Sequence, residues 1–189
     1  MSPVCNVKFM TTRHTVFATL VLVMALLGGG RVGAQESPEG KPIVLPASDA
    51  KVTGALKIQG KSETATIHFW NNTNDAISWV WVGAKPGNYR VELNYSLDPK
   101  MTGGKILFRA GDQQLIAPAP VTGKWSDFHT FELGVVQVGQ GGDIPVKLQA
   151  AQLPQVPGAA LPDVGWLSFT ATKAPATSNP VVQPGHGRD

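Results

Sequence analysis

Two short segments hold the residues whose types and spacing could do chemistry. The first is Trp70-Asn71-Asn72-Thr73-Asn74-Asp75. A tryptophan followed by amide and carboxylate side chains suits sugar recognition. An indole face covers the apolar C–H side of a pyranose, while Asn71, Asn72 and Asp75 bond its hydroxyls. The same run also fits a tryptophan that caps a core beside asparagines that shape a turn. The second segment is Thr122-Gly123-Lys124-Trp125-Ser126-Asp127-Phe128. After its glycine turn, Trp125 either projects as a stacking platform or plugs the end of the fold.

Catalytic patterns are missing. Beyond residue 34 the histidines are His68, His129 and His186, with neither HxH nor HExxH spacing for zinc. There is no GxSxG elbow. The acidic residues scatter through turns, and none stands out as half of a glycosidase pair. The one cysteine is Cys5, so residues 35–189 contain no thiol, disulfide or cysteine-based metal site. The expectation is a non-catalytic protein with no catalytic residue.

The elements that must position these segments read as strands. Tyr89, Val91, Leu93 and Tyr95 alternate with Arg90, Glu92, Asn94 and Ser96, the period of a half-buried strand. Ile106 and Phe108 alternate with Lys105 and Arg109, and Gly111-Asp112 closes a hairpin. Ile144, Val146 and Leu148 alternate with Pro145, Lys147 and Gln149. Pro145 has no N–H to donate, so this strand should lie at an edge or leave that position unpaired. Residues 77–82 (ISWVWV) are apolar on both faces and predict a central strand, with Trp79 and Trp81 in the core. Trp166, in a last strand over 164–172, is expected in the core as well. Helical periodicity over three turns is found nowhere in the domain. Short strands between Gly, Pro, Asn and Asp turns predict an all-β jelly-roll sandwich.

Composition agrees. Charged residues make up 15% of the chain, and it holds 21 Gly and 15 Pro among 189 residues. That excludes a coiled coil or a highly charged disordered chain. Residues 1–34 predict a cleaved signal peptide: a basic start at Lys8, Arg13 and His14, an apolar run over 16–27, and Val32 and Ala34 before the cut. Cleavage removes Lys8, Arg13 and Arg31 from the 16 basic residues, leaving as many as the 13 acidic ones. A neutral chain offers no electrostatic case for binding nucleic acid. The predicted location is secreted or periplasmic. Residues 35–42 read as a leader, 43–172 as the domain, and 173–189 as a disordered tail rich in Pro and small polar residues.

Several stretches together carry a resemblance. They are residues 45–50 with Gly54, residues 67–72, Ile77-Ser78-Trp79, residues 87–95, residues 122–128, residues 133–136 and residues 161–164. In this order the chain resembles the galactose-binding-like β-sandwich carbohydrate-binding modules of families 6 and 35. The resemblance implies a loop-end cleft that holds a sugar between two aromatics, Trp70 and either Trp125 or Phe128. It also implies a structural calcium on Asp163, the only cofactor in view. Two departures argue against the usual chemistry. Pro46-Ala47-Ser48 replaces a stretch whose carboxylates serve calcium or ligand, and a sugar-contacting Asn falls at Gly165. The expected partner is a polysaccharide or glycan. The second reading is a secreted or envelope protein-interaction domain that keeps the fold without the sugar site, serving a secreted hydrolase or an envelope protein.

Overall fold

In the computed structural model, residues 40–177 are described, and they form an all-β jelly-roll sandwich. The predicted signal peptide and residues 178–189 lie outside the described residues. The strands are β1 (Ile43–Pro46), β2 (Lys51–Thr53), β3 (Lys57–Gln59), β4 (Thr66–His68), β5 (Ala76–Ala84) and β6 (Gly87–Ser96). They continue as β7 (Lys105–Ala110), β8 (Gln113–Pro118), β9 (His129–Val138), β10 (Gly142–Gln152) and β11 (Asp163–Thr172). One sheet runs β3-β4-β11-β6-β9, with β1 also paired to β11; the other runs β2-β5-β10-β7-β8. All pairings are antiparallel.

The alternation seen in the sequence drives the packing. Tyr89, Val91, Leu93 and Tyr95 of β6 turn inward against Leu167 and Phe169 of β11 and against Trp79 and Trp81 of β5. Trp81 stacks on Phe169 at 4.1 Å between centroids, and Tyr89 meets Trp81 edge-on at 4.7 Å. The Trp79 indole donates to the Pro46 carbonyl at 2.9 Å, so this large ring enters the core without an orphaned N–H. Trp166 differs from expectation. It alternates with Leu167 and Phe169, whose side chains fill the interior, and so is only half-buried.

Two strand expectations are refined. β5 is flanked on both sides, but β2 covers only its first three residues, and Val80 and Val82 face outward exposed. β10 is an interior strand although it contains Pro145. The Pro145 carbonyl accepts from the Gly111 N–H at 3.0 Å. In an antiparallel strand a residue's N and O point to the same side, so the missing donor faces the β7–β8 turn, where the ladder has already ended.

The first residues of the predicted tail fall within the described part of the chain. Residues 173–177 return along the β9 edge. The Thr177 N–H donates to the Val135 carbonyl, and the Val135 N–H donates to Thr177 Oγ1, both at 2.8 Å. Asn88 Nδ2 donates to the Ala174 carbonyl at 2.8 Å. The segment thereby covers donors and acceptors that an open edge would leave to other chains.

Candidate functional site

One end of the sandwich carries the aromatic cavity. Here β4 ends, β11 begins, β6 ends, and residues 153–162 loop over from β10. The cavity measures about 260 Å³. Its aromatic walls are Phe69, Trp70 and Trp125; its polar groups are His68, Asn71 and Asp163; Gly158 and Ala160 keep the loop side low. At the opposite end, where β9 finishes beside the start of β6, a second cavity of about 490 Å³ opens. Its lining includes Gln137, Gln140 and Asp143 but no aromatic ring, so it offers a sugar no stacking face.

The first segment is built by a backbone reversal. Along β4, Ile67 points inward and its neighbours Thr66 and His68 are half-buried. Simple alternation would turn residue 69 in and residue 70 out. Instead Phe69 adopts φ +67°, the left-handed region that bulky residues rarely enter. The alternation inverts there. Phe69 is 51% exposed, while Trp70 is fully buried at 0%. The Trp70 carbonyl accepts from the Leu161 N–H at 2.7 Å, which ties the segment to the cavity loop. Trp70 is therefore a wall of the core beneath the cavity rather than an exposed platform, and the exposed ring belongs to Phe69. Lys57 Nζ lies 5.9 Å from the centre of that ring.

The rest of the run divides. Asn71 is exposed and lines the cavity. Asn72 is turn chemistry: its Oδ1 accepts from the Asn74 N–H at 2.9 Å, and its carbonyl accepts from the Asp75 N–H. Asp75 is only 2% exposed. Its Oδ1 accepts from the Ala55 N–H at 3.2 Å and lies where a Cβ on Gly54 would stand. Neither Asn72 nor Asp75 lines the cavity, because the turn directs one to its own backbone and the other into the fold.

The second segment is stapled to the end of β6. Thr122 and Leu97 exchange bonds: Leu97 N–H to Thr122 Oγ1 at 2.9 Å, and Thr122 N–H to the Leu97 carbonyl at 3.0 Å. Ser96 Oγ donates to the Trp125 carbonyl at 2.6 Å. Gly123, at φ +129°, makes the turn and packs where a Cβ would stand 2.9 Å from Asp127 Oδ2. Held this way, Trp125 is 36% exposed and borders the cavity. Phe128 is half-buried and sits beside Gly165, away from the cavity lining. Gly165 is the extra residue of a β-bulge, and a Cβ there would meet Asn94 Oδ1 at 2.6 Å. The Asn94 amide takes up the room that a side chain at 165 would need.

Asp163 opens β11 and faces His68 of β4. His68 Nδ1 lies 2.8 Å from Asp163 Oδ2, and His68 Nε2 lies 2.7 Å from Thr66 Oγ1. Burial pushes the Asp163 carboxyl above the usual carboxylate range, while His68 pulls it part of the way back. A structural calcium takes six to eight oxygen ligands. Among the described residues, no group of three or more His, Cys, Asp or Glu side chains comes together. The Pro46 carbonyl is engaged by Trp79, and Ser48 bonds the neighbouring Asp49. The Asp163 carboxylate is paired with His68, and this donor set does not fit calcium. His68 and Phe69 carry little signal in the sequence: one lacks zinc spacing, and the other stands next to a more conspicuous tryptophan.

No protein-family model matches the sequence, and no curated protein sequence matches it. Solved structures do. A family 35 carbohydrate-binding module from Clostridium thermocellum is 16% identical, with a TM-score of 0.54 over 69% of this chain and 98% of the module. The C-terminal family 6 module of a laminarinase from Zobellia galactanivorans is 18% identical, with a TM-score of 0.55 over 69% and 99%. A family 6 module of lichenase 5A from Cellvibrio mixtus, solved with cellotriose, is 17% identical, with a TM-score of 0.53 over 69% and 97%. The β-sandwich of residues 40–177 thus has the fold of the family 6 and family 35 carbohydrate-binding modules.

Proposed function

We propose that this chain is an exported, non-catalytic carbohydrate-binding module whose site is the cavity between Phe69 and Trp125. The observation that carries the reading is that two exposed aromatic rings, from separate segments, border one cavity with Asn71 and Asp163. Rings of this kind cover the C–H face of a pyranose, and the amide and carboxylate meet its hydroxyls. The fold shared with the family 6 and 35 modules supports it. Export is supported by the basic, apolar and small-residue succession of residues 1–34. Binding should be weak, because a small open cavity buries little of a sugar and its hydroxyl bonds replace bonds to water.

Affinity electrophoresis in gels containing soluble β-glucans, galactans, mannans or xylans tests the reading. The wild type should be retarded by at least one polysaccharide, and Phe69→Ala and Trp125→Ala should migrate freely while melting near the wild-type temperature. Equal retardation of both variants and the wild type would remove the cavity from consideration.

A further inference from the structure

We infer that His68 and Asp163 form a metal-free clasp that positions Phe69 at the cavity. The start of this inference is the thin attachment of β4. On its outer side β4 pairs with β3 at three positions: Lys57 with His68, Ile58 with Ile67, and Gln59 with Thr66. On its inner side, among the described residues, its ladder to β11 has one register pair, Val164 with Ile67. The β3–β4 ribbon therefore meets the rest of its sheet through very little backbone.

The next pair in that antiparallel register is Asp163 with His68, one step back on β11 and one step on along β4. Their side chains meet at 2.8 Å, the distance of a charge-assisted hydrogen bond. Cross-strand neighbours at such a position are the unit by which a sheet is stabilised. Ile67 and Trp70 anchor the inward side of the segment in the core. The outward side has His68, held by Asp163 at Nδ1 and by Thr66 at Nε2. Both ring nitrogens are engaged, so the imidazole has one orientation.

Phe69 follows directly, in a backbone conformation that is costly for its type and persists only where its surroundings impose it. A fixed residue 68 and a buried residue 70 on either side supply that constraint. The clasp thus does two things at once. It gives the largely buried carboxylate of Asp163 a protein partner, and it holds the exposed ring of Phe69 against the cavity. The clasp stands on this geometry alone; its effect on glycan affinity rests on the function proposed above.

Thermal unfolding and affinity electrophoresis together test it. For the wild type, EDTA and added CaCl2 should each leave the melting temperature within about 2 °C, since no metal contributes to folding. His68→Ala should lower it by about 5 °C and lose polysaccharide retardation. His68→Asn keeps an amide N–H near the position of Nδ1 and should recover most of both, whereas His68→Gln, whose amide reaches the Nε2 position, should not. Should His68→Ala fail to fold, the two amide variants carry the test in its place: His68→Asn should melt clearly above His68→Gln, and equal melting of the two would overturn the clasp. A melting temperature that falls by more than about 5 °C in EDTA, or a His68→Ala variant that behaves like the wild type in melting, would overturn the clasp. Loss of retardation by every protein, wild type included, with the melting pattern intact, would overturn the glycan reading and leave the clasp standing.

Discussion

The two aromatic segments at the cavity present their rings by opposite means. At residues 122–128 the backbone is shaped by the residues one would choose for the purpose: Thr122 bonds the end of β6, Gly123 takes the positive φ, and Trp125 projects. At residues 66–71 no glycine is present. The reversal falls on Phe69 itself, and the larger ring, Trp70, is turned inside. A ring reaches solvent here because of where the chain reverses, and its size or chemical type does not decide the matter. The first segment accepts local strain and the second avoids it, so the two should respond differently when their aromatic residues are removed.

The sharpest separation is expected at Trp70. Its truncation to alanine empties a fully buried site, so Trp70→Ala should lose about 3–5 kcal/mol of stability by chemical denaturation. A variant that stays as stable as the wild type would place Trp70 with the exposed rings after all. Trp125→Ala should behave in the reverse way. Removing a stacking face should weaken glycan affinity about tenfold, which is roughly 1.4 kcal/mol, with little change in melting; titration calorimetry measures it.

A third experiment examines the scaffold of the second segment. Tyr95 is fully buried, stacks on Phe131 at 4.6 Å, and donates its hydroxyl to the Pro120 carbonyl at 2.9 Å, just ahead of Thr122. Burial pushes its ionisation well above the usual tyrosine value. The unfolded chain therefore releases this proton first as pH climbs past about 10, and stability attributable to Tyr95 is complete below that pH and lost above it. Tyr95→Phe should flatten that alkaline slope and cost about 1 kcal/mol near neutrality for the lost bond. An unchanged slope in alkaline melting curves would refute the assignment. The smallest effect on stability is expected from Phe69→Gly, which removes both the exposed ring and the strained φ. Its melting temperature should hold or rise slightly while glycan affinity falls. A clear loss of stability would show that the ring packs more than it projects.

Much of the architecture is legible in the order of residues because it depends on short-range patterns. The alternation over Tyr89, Val91, Leu93 and Tyr95 and the hairpin at Gly111-Asp112 need only the two-residue period of a strand and the turn preferences of glycine. Pro145 was harder, since a missing N–H limits a strand only on the side it faces. Trp166 is only half-buried because its position in the alternation, and not its residue type, decides its burial. At the site, Asn71 and Trp125 were readable from residue type and turn chemistry. Trp70 also borders the cavity, but from within the core, whereas Asn72, Asp75 and Phe128 lie outside its lining.

By itself, the sequence determined an all-β sandwich with aromatic and amide residues at its turns, since hydrophobic period and turn type act over a few neighbouring residues. Tertiary structure alone decided which ring faces the cavity and what holds Asp163. The inversion at Phe69 is imposed by a buried Trp70 and by a strand almost a hundred positions away in the chain, and the His68–Asp163 contact exists only because antiparallel pairing makes distant residues neighbours.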